Sequence, residues 1–153
     1  MKLFSVLAAT VVVTAGLGSA QTIRVGTFHK PSIVVAFYRS PLWADALKAK
    51  LAELEVAKQA HDTSKVQDLE AWGNTQQELA HRQLSGDAPL TNILEALSPE
   101  LPEIARRAGV KLMASDILFA DPTVQTVDVT DLLLDYLKAD AHTLSIVRDL
   151  RKR

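Results

Sequence analysis

Ser40-Pro41 is a strong helix start. A serine hydroxyl accepts a bond from an orphan first-turn amide, and a proline at the first helical position gives up only a donor that would have no partner. Beyond it Trp43, Leu47, Leu51 and Leu54 recur at steps of three and four, while Asp45, Lys48, Lys50, Glu53, Glu55 and Lys58 fill much of the remaining circumference. A helix with so narrow an apolar stripe packs against another helix, as in a coiled coil, rather than inside a core. The stripe resumes out of phase at Val66, Leu69 and Trp72, and the cap-forming residues of His61-Asp62-Thr63-Ser64 in between predict a kink or a restart. Gly73-Asn74 is a second weak point, and Ser85-Gly86-Asp87-Ala88-Pro89 is a firm break. A helical return is expected over Leu90 to Ala108, interrupted by Pro99 and Pro102 and stopped at Gly109 in the position of a helix C-cap. Unbroken, residues 42–84 would reach ~64 Å and the return only ~28 Å, so the outgoing arm must bend, overhang or pack back on itself.

The flanking segments read differently. Ile23 to Phe28 alternates, with Ile23, Val25 and Thr27 on one side and Arg24 on the other, as a half-buried strand does. Ile33-Val34-Val35-Ala36-Phe37-Tyr38 fits a strand by its β-branched residues and a short helix by its place after Pro31-Ser32; on either reading it is buried. Val110 to Ala114 and Ile117 to Ala120 read as a hairpin of short strands about Ser115-Asp116. Asp121-Pro122 turns the chain, Val124 to Val129 leads into Asp128-Val129-Thr130-Asp131, and that tetrapeptide caps an amphipathic helix, Leu132 to Lys138. Thr143 to Arg151 forms a last helix, whose Arg148, Arg151, Lys152 and Arg153 complement the negative end of its dipole.

The first residues carry one positive charge, Lys2, an apolar run from Leu3 to Leu17, and the small residues Gly18, Ser19 and Ala20. That layout predicts a secretory signal cleaved after Ala20, leaving Gln21 as the mature start and residues 21–153 as one exported domain without a stable membrane span. Losing Lys2 takes the net charge from −1 to −2, so there is no basic excess for nucleic acid. Without cysteine there is no disulfide, thiol nucleophile or thiolate metal site, and stability must come from packing or assembly.

The order of strand, helical arm out, helical arm back, strand pair and capped helix behind a signal peptide resembles the Skp/OmpH family of periplasmic chaperones. The specific part is Gly109-Val110-Lys111-Leu112-Met113-Ala114, then Ile117-Leu118-Phe119-Ala120-Asp121-Pro122-Thr123-Val124, then Asp128-Val129-Thr130-Asp131. These are similar to that family's closing strands and last helix start. Ser40-Pro41 is similar to the start of its arm, and Ile23-Arg24-Val25-Gly26 to its first strand. The resemblance implies an α+β fold with a base of about three or four short strands, at residues 21–41 and 109–140. From this base an interrupted helical hairpin arm would project over about 42–108, with a C-terminal helix at 143–153. It also implies a periplasmic location and a trimer that encloses unfolded outer-membrane proteins. Family members are typically basic, whereas this chain is slightly acidic, so apolar contact rather than charge would hold the client.

Two residue sets follow. Non-native envelope polypeptides would bind the arm stripe at Leu47, Leu54, Leu69 and Trp72. Self-association would use the strands around Ile23, Val25, Leu112, Ile117 and Phe119 and the helix bearing Leu133 and Leu137, since so few strands leave edges that assembly can pair. Phe119→Ala would cost ~3–5 kcal/mol if that ring is fully buried.

The sequence argues against an enzyme, a cofactor or a metal. Glu78 and His81 have the spacing used in di-iron bundles, but such sites need that motif twice and it occurs once. His61-Asp62 is better read as a turn or cap, and His29 beside Lys30 and Ser32 has no orienting acid or oxyanion hole to make it a base. His81-Arg82-Gln83, ahead of a rigid turn, is a candidate partner contact or plain connection. Two alternatives to a holdase remain: an oligomeric envelope adaptor, and a small ligand-binding domain.

Overall fold

The computed structural model describes residues 22–152, so the expected export signal and the mature start at Gln21 lie outside the described residues. The Ile23 to Phe28 segment forms β1 (Arg24–Thr27), the middle of a three-stranded sheet flanked by β2 (Leu112–Ala114) and β3 (Gln125–Asp128). Both neighbours run parallel to it. Val25 pairs with Leu112 and Thr126, and Gly26 pairs with Met113 and Val127. The expected antiparallel hairpin at Ser115-Asp116 is therefore corrected: Leu112–Ala114 is a strand, but Ile117 to Ala120 is not. A chain leaving one parallel strand for another must return to the sheet's starting edge, which a two-residue turn cannot do. The bulk of residues 115–124 makes that return. Val124 to Val129, expected only as a lead-in, supplies the third strand.

Ile33 to Tyr38 belongs to α1 (Lys30–Tyr38), not to a strand. Ser32, Ile33, Val34, Ala36 and Phe37 are all buried, so the helix has no solvent stripe and is the central post of the base. This explains its β-branched composition, since burial rather than propensity decides such a segment. Around it pack α6 (Thr130–Tyr136), α7 (Ala141–Leu150) and the lower ends of α2 (Pro41–Gln59) and α3 (Thr63–Ser85). The core also takes Leu90, Ile93 and Leu97 from in and beside α4 (Thr91–Leu97), Ile104 from α5 (Leu101–Ala108), and Leu133, Leu134, Leu137 and Val147. Each fully buried leucine or isoleucine of this set contributes about 1.5–3 kcal/mol.

Burial of Leu90, Ile93, Leu97 and Ile104 overturns the expectation that 90–108 is the returning limb of the arm. The hairpin closes earlier, within 41–85, at the restart foreseen around His61 to Ser64. His61 takes φ of 55°, and the Asp62 carboxylate accepts a bond from the Lys65 amide at 3.0 Å to cap α3. Ser40 caps α2 by accepting from the Trp43 amide, as the sequence predicts. Gly73-Asn74 does not break α3, which continues to Ser85. Gly109 ends α5 at φ of 65°, a left-handed conformation that costs glycine little.

The two faces of the sheet differ. Met113 and Val127 point into the helical core, and a side chain at Gly26 between them would meet Met113 at 2.9 Å and Val110 and Val129 at 3.2 Å. Glycine is what lets the sheet approach the core this closely. Ile23, Val25, Leu112 and Thr126 alternate onto the opposite face. Right-handed crossovers place the helices on the first face and the 115–124 return on the second.

Candidate functional site

The arm is a two-helix hairpin with almost no interior. In α2 the sole buried residue is Ala57, and in α3 it is Gln83, at the root. The expected client-binding residues Leu47, Leu54, Leu69 and Trp72 are all half-buried. Leu47 and Leu54 share a heptad-spaced row of α2 with Trp43 and Ala57, and Trp43 stacks on Trp72 of α3 with centroids 6.0 Å apart and 21° between the ring planes. This row lies toward the other helix of the hairpin. What the arm leaves to solvent lies on either side of that row. Leu51 is 53% exposed and Val56 66% exposed, on different faces of α2. On the side of Val56, the residues Ala49, Ala52, Val56 and Ala60 line a shallow groove of about 460 Å³ near the hairpin turn, rimmed by Glu53, Asp62 and Lys65. Leu51 was legible as an apolar position, but Val56 was not, because it stands on the opposite side of the helix from Leu47.

The root is held by a closed polar ring. The Tyr38 hydroxyl donates to Gln83 Oε1 at 3.0 Å, and Gln83 Nε2 donates to the Pro89 carbonyl at 2.8 Å and to Asn92 Oδ1 at 2.6 Å. Asn92 Nδ2 returns a bond to the Tyr38 oxygen at 3.3 Å. Gln83, one of the three residues considered as a partner contact, is thus a buried structural link between α3, α1 and α4. Its neighbours His81 and Arg82 are exposed, and Arg82 bonds the Asp87 carbonyl across the turn at 3.3 Å.

The residues expected to mediate self-association divide. Leu133 and Leu137 lie wholly inside the chain's own core, and Val25 is also buried. They serve the base and offer a partner nothing. Ile23 and Leu112 are each 59% exposed on the second sheet face, and Ile117 is half-buried. Phe119 is 83% exposed in the single chain, so the condition of full burial attached to the Phe119→Ala cost is not met there, and Leu118 beside it is fully exposed. The return segment that carries them is tied at one end by Lys30 Nζ to Asp116 Oδ2 at 2.7 Å. At the other, the Asp121 carboxylate accepts from the Thr123 amide and hydroxyl at 2.9 and 2.6 Å.

At the carboxyl ends of the strands the titratable groups are engaged in joining elements. His29 Nδ1 lies 2.6 Å from the Ser32 hydroxyl, and the His29 amide donates to Thr130 Oγ1 at 2.9 Å, so the starts of α1 and α6 are tied together. Ser32 is wholly buried and is not presented to a substrate. Asp128 is held below its ordinary carboxylate range. Partial burial opposes ionisation, but bonds from Thr130 and from Arg151, whose guanidinium reaches Asp128 at 2.6 Å and Asp131 at 2.7 Å, outweigh it. Arg151 of the C-terminal basic cluster therefore clasps α7 to the β3–α6 junction. Among the described residues no three histidine or acidic side chains gather as metal ligands, and no helix is long and apolar enough to cross a membrane.

No protein-family model, curated protein or solved structure matches this chain.

Proposed function

We propose that this chain is an exported, non-enzymatic holdase of Skp/OmpH type, which binds unfolded or outer-membrane polypeptides along its helical arm as a homo-oligomer, most simply a trimer. The observation that carries the reading is the arm: a long hairpin joined to the base only at its root, showing solvent apolar side chains on two faces of α2, Leu51 on one and Val56 with its neighbouring alanines on another. An extended client can desolvate such side chains without any matching sequence of its own. Leu47, Leu54, Leu69 and Trp72 support this surface from within the hairpin.

A photoreactive residue at position 56 should crosslink an unfolded outer-membrane β-barrel protein, and one at Lys111 in the base should not. Equal crosslinking from both positions would count against an arm-specific site. Because apolar contact rather than charge carries binding, the crosslink yield should survive raised salt.

Self-association is supported by the exposed apolar side chains of Ile23 and Leu112 on the second sheet face and of Leu118 and Phe119 on the return segment, and by the outer edges of β2 and β3, which pair with no further strand among the described residues. Phe119→Asp should shift the mass in solution from oligomer to monomer while leaving the far-ultraviolet circular dichroism unchanged. A wild-type chain that is monomeric at micromolar concentration favours the small ligand-binding alternative over both the oligomeric holdase and the adaptor.

A further inference from the structure

Two crevices at the carboxyl ends of β1 and β2 meet at Leu94, Ser115 and Asp116. The inner one, of about 410 Å³, is walled by Phe28, Leu97, Leu101, Met113 and Leu133. The outer one, of about 480 Å³, adds Lys30 and the backbone turn from Gly86 to Thr91. Both volumes fall in the range of small-molecule sites, and the carboxyl edge of parallel strands whose connections leave in opposite directions is where such folds bind ligands. This cleft lies in the base and is separate from the groove near the turn of the arm.

The charges at the mouth select the ligand. Lys30 Nζ and Asp116 Oδ2 sit 2.7 Å apart, both partly exposed, and the Ser115 hydroxyl donates to Asp116 at 3.0 Å. An apolar anion entering here would meet the Asp116 carboxylate, and an apolar cation would meet the Lys30 ammonium. A ligand with both charged groups on one carbon and an apolar group behind them finds each rim charge attractive, and exchanges one ion pair for two. The apolar wall then takes the remaining group.

We infer that this cleft binds a free α-amino acid with a large apolar side chain, its carboxylate on Lys30, its ammonium on Asp116 and its side chain against Phe28, Leu94, Leu101 and Met113. The mouth is an exposed ion pair that opens at little cost, because surface pairs of this kind are worth little on their own. The site is independent of the arm and of the holdase reading.

Isothermal titration of the purified chain tests it with five compounds: L-phenylalanine, glycine, 3-phenylpropionate, phenethylamine and lysophosphatidylethanolamine. L-Phenylalanine should bind saturably, one per chain, and at least tenfold more tightly than any of the three compounds that lack one charge or the side chain. Asp116→Asn should weaken it at least tenfold, and Leu94→Trp, which fills the point where the crevices meet, should abolish it. Absence of saturable L-phenylalanine binding, equal binding by phenethylamine or phenylpropionate, or saturable binding of the lysolipid alone would each overturn the assignment. So would L-phenylalanine binding that is unchanged in both variants. Should Leu94→Trp fail to fold, the ligand series on the unaltered chain decides the matter.

Discussion

Gly26 sits where the sheet touches the core, with Met113, Val110 and Val129 all within 3.2 Å of where a methyl group would stand. Gly26→Ala should therefore overpack that contact and destabilise the fold by ~1–3 kcal/mol, read from the midpoint of a urea unfolding curve. Nothing in Ile23-Arg24-Val25-Gly26 discloses this, because the pressure on Gly26 comes from Val110, Met113 and Val129, far later in the chain. Gln83 is a similar case. In sequence it stands in a polar stretch beside a turn, yet it is 2% exposed and closes the ring with Tyr38 and Asn92. Gln83→Leu should cost ~1–3 kcal/mol by stranding those partners, measured in the same way. Asp128 sets an acid limit. Its folded-state pKa is depressed below 3.8, so the stability it lends is fully present above that value and is lost as pH falls through the lower folded value. The bond and charge of Arg151 help to hold it there, so Arg151→Met should flatten the decline of melting temperature as the pH falls below the ordinary carboxylate range. An unchanged slope would mean that Thr130 alone sets the shift.

At the scale of elements, the local signals were the legible ones. Ser40-Pro41, the His61 to Ser64 restart, the Ser85 to Pro89 break and the Gly109 cap all fall where side-chain chemistry and backbone freedom put them. Which helix pairs with which was not legible. α4 and α5 have helical spacing equally compatible with an arm limb and a core layer, and only burial of Ile93, Leu97 and Ile104 distinguishes them. The strands failed for the same reason. Val110 to Ala120 has the composition of a hairpin, and the parallel pairing that excludes it depends on β1, far away in sequence. Gly73 offers a test of the arm as a continuous helix: it lies inside α3, with nothing within 4 Å of where a side chain would begin. Gly73→Ala should then raise stability by ~0.5–1 kcal/mol, whereas a break there would make the change neutral or harmful. Urea unfolding of the two proteins, with a loss for Gly109→Ala as the counterpart, checks it.

For the molecule as a whole, one compact base carries a thin arm, and the two have different physics. The base is held by the core around α1, while the arm is a hairpin whose buried content is a single residue per helix. Aggregate composition was readable without a structure, and so was the presence of a long charged helix. The surface left exposed after the helices paired was not, because it depends on which face of each helix turns inward. That surface is the centre of the functional account, and light scattering by an aggregating, unfolded outer-membrane β-barrel protein tests it most directly. The intact chain is compared with one whose residues 47–77 are replaced by a short flexible loop that leaves Trp43 and the Gln83 ring in place. The account predicts that the intact chain suppresses scattering in proportion to its concentration and that the shortened chain, folded and of the same oligomeric state, does not. Equal protection by both would contradict it and give the role to the base.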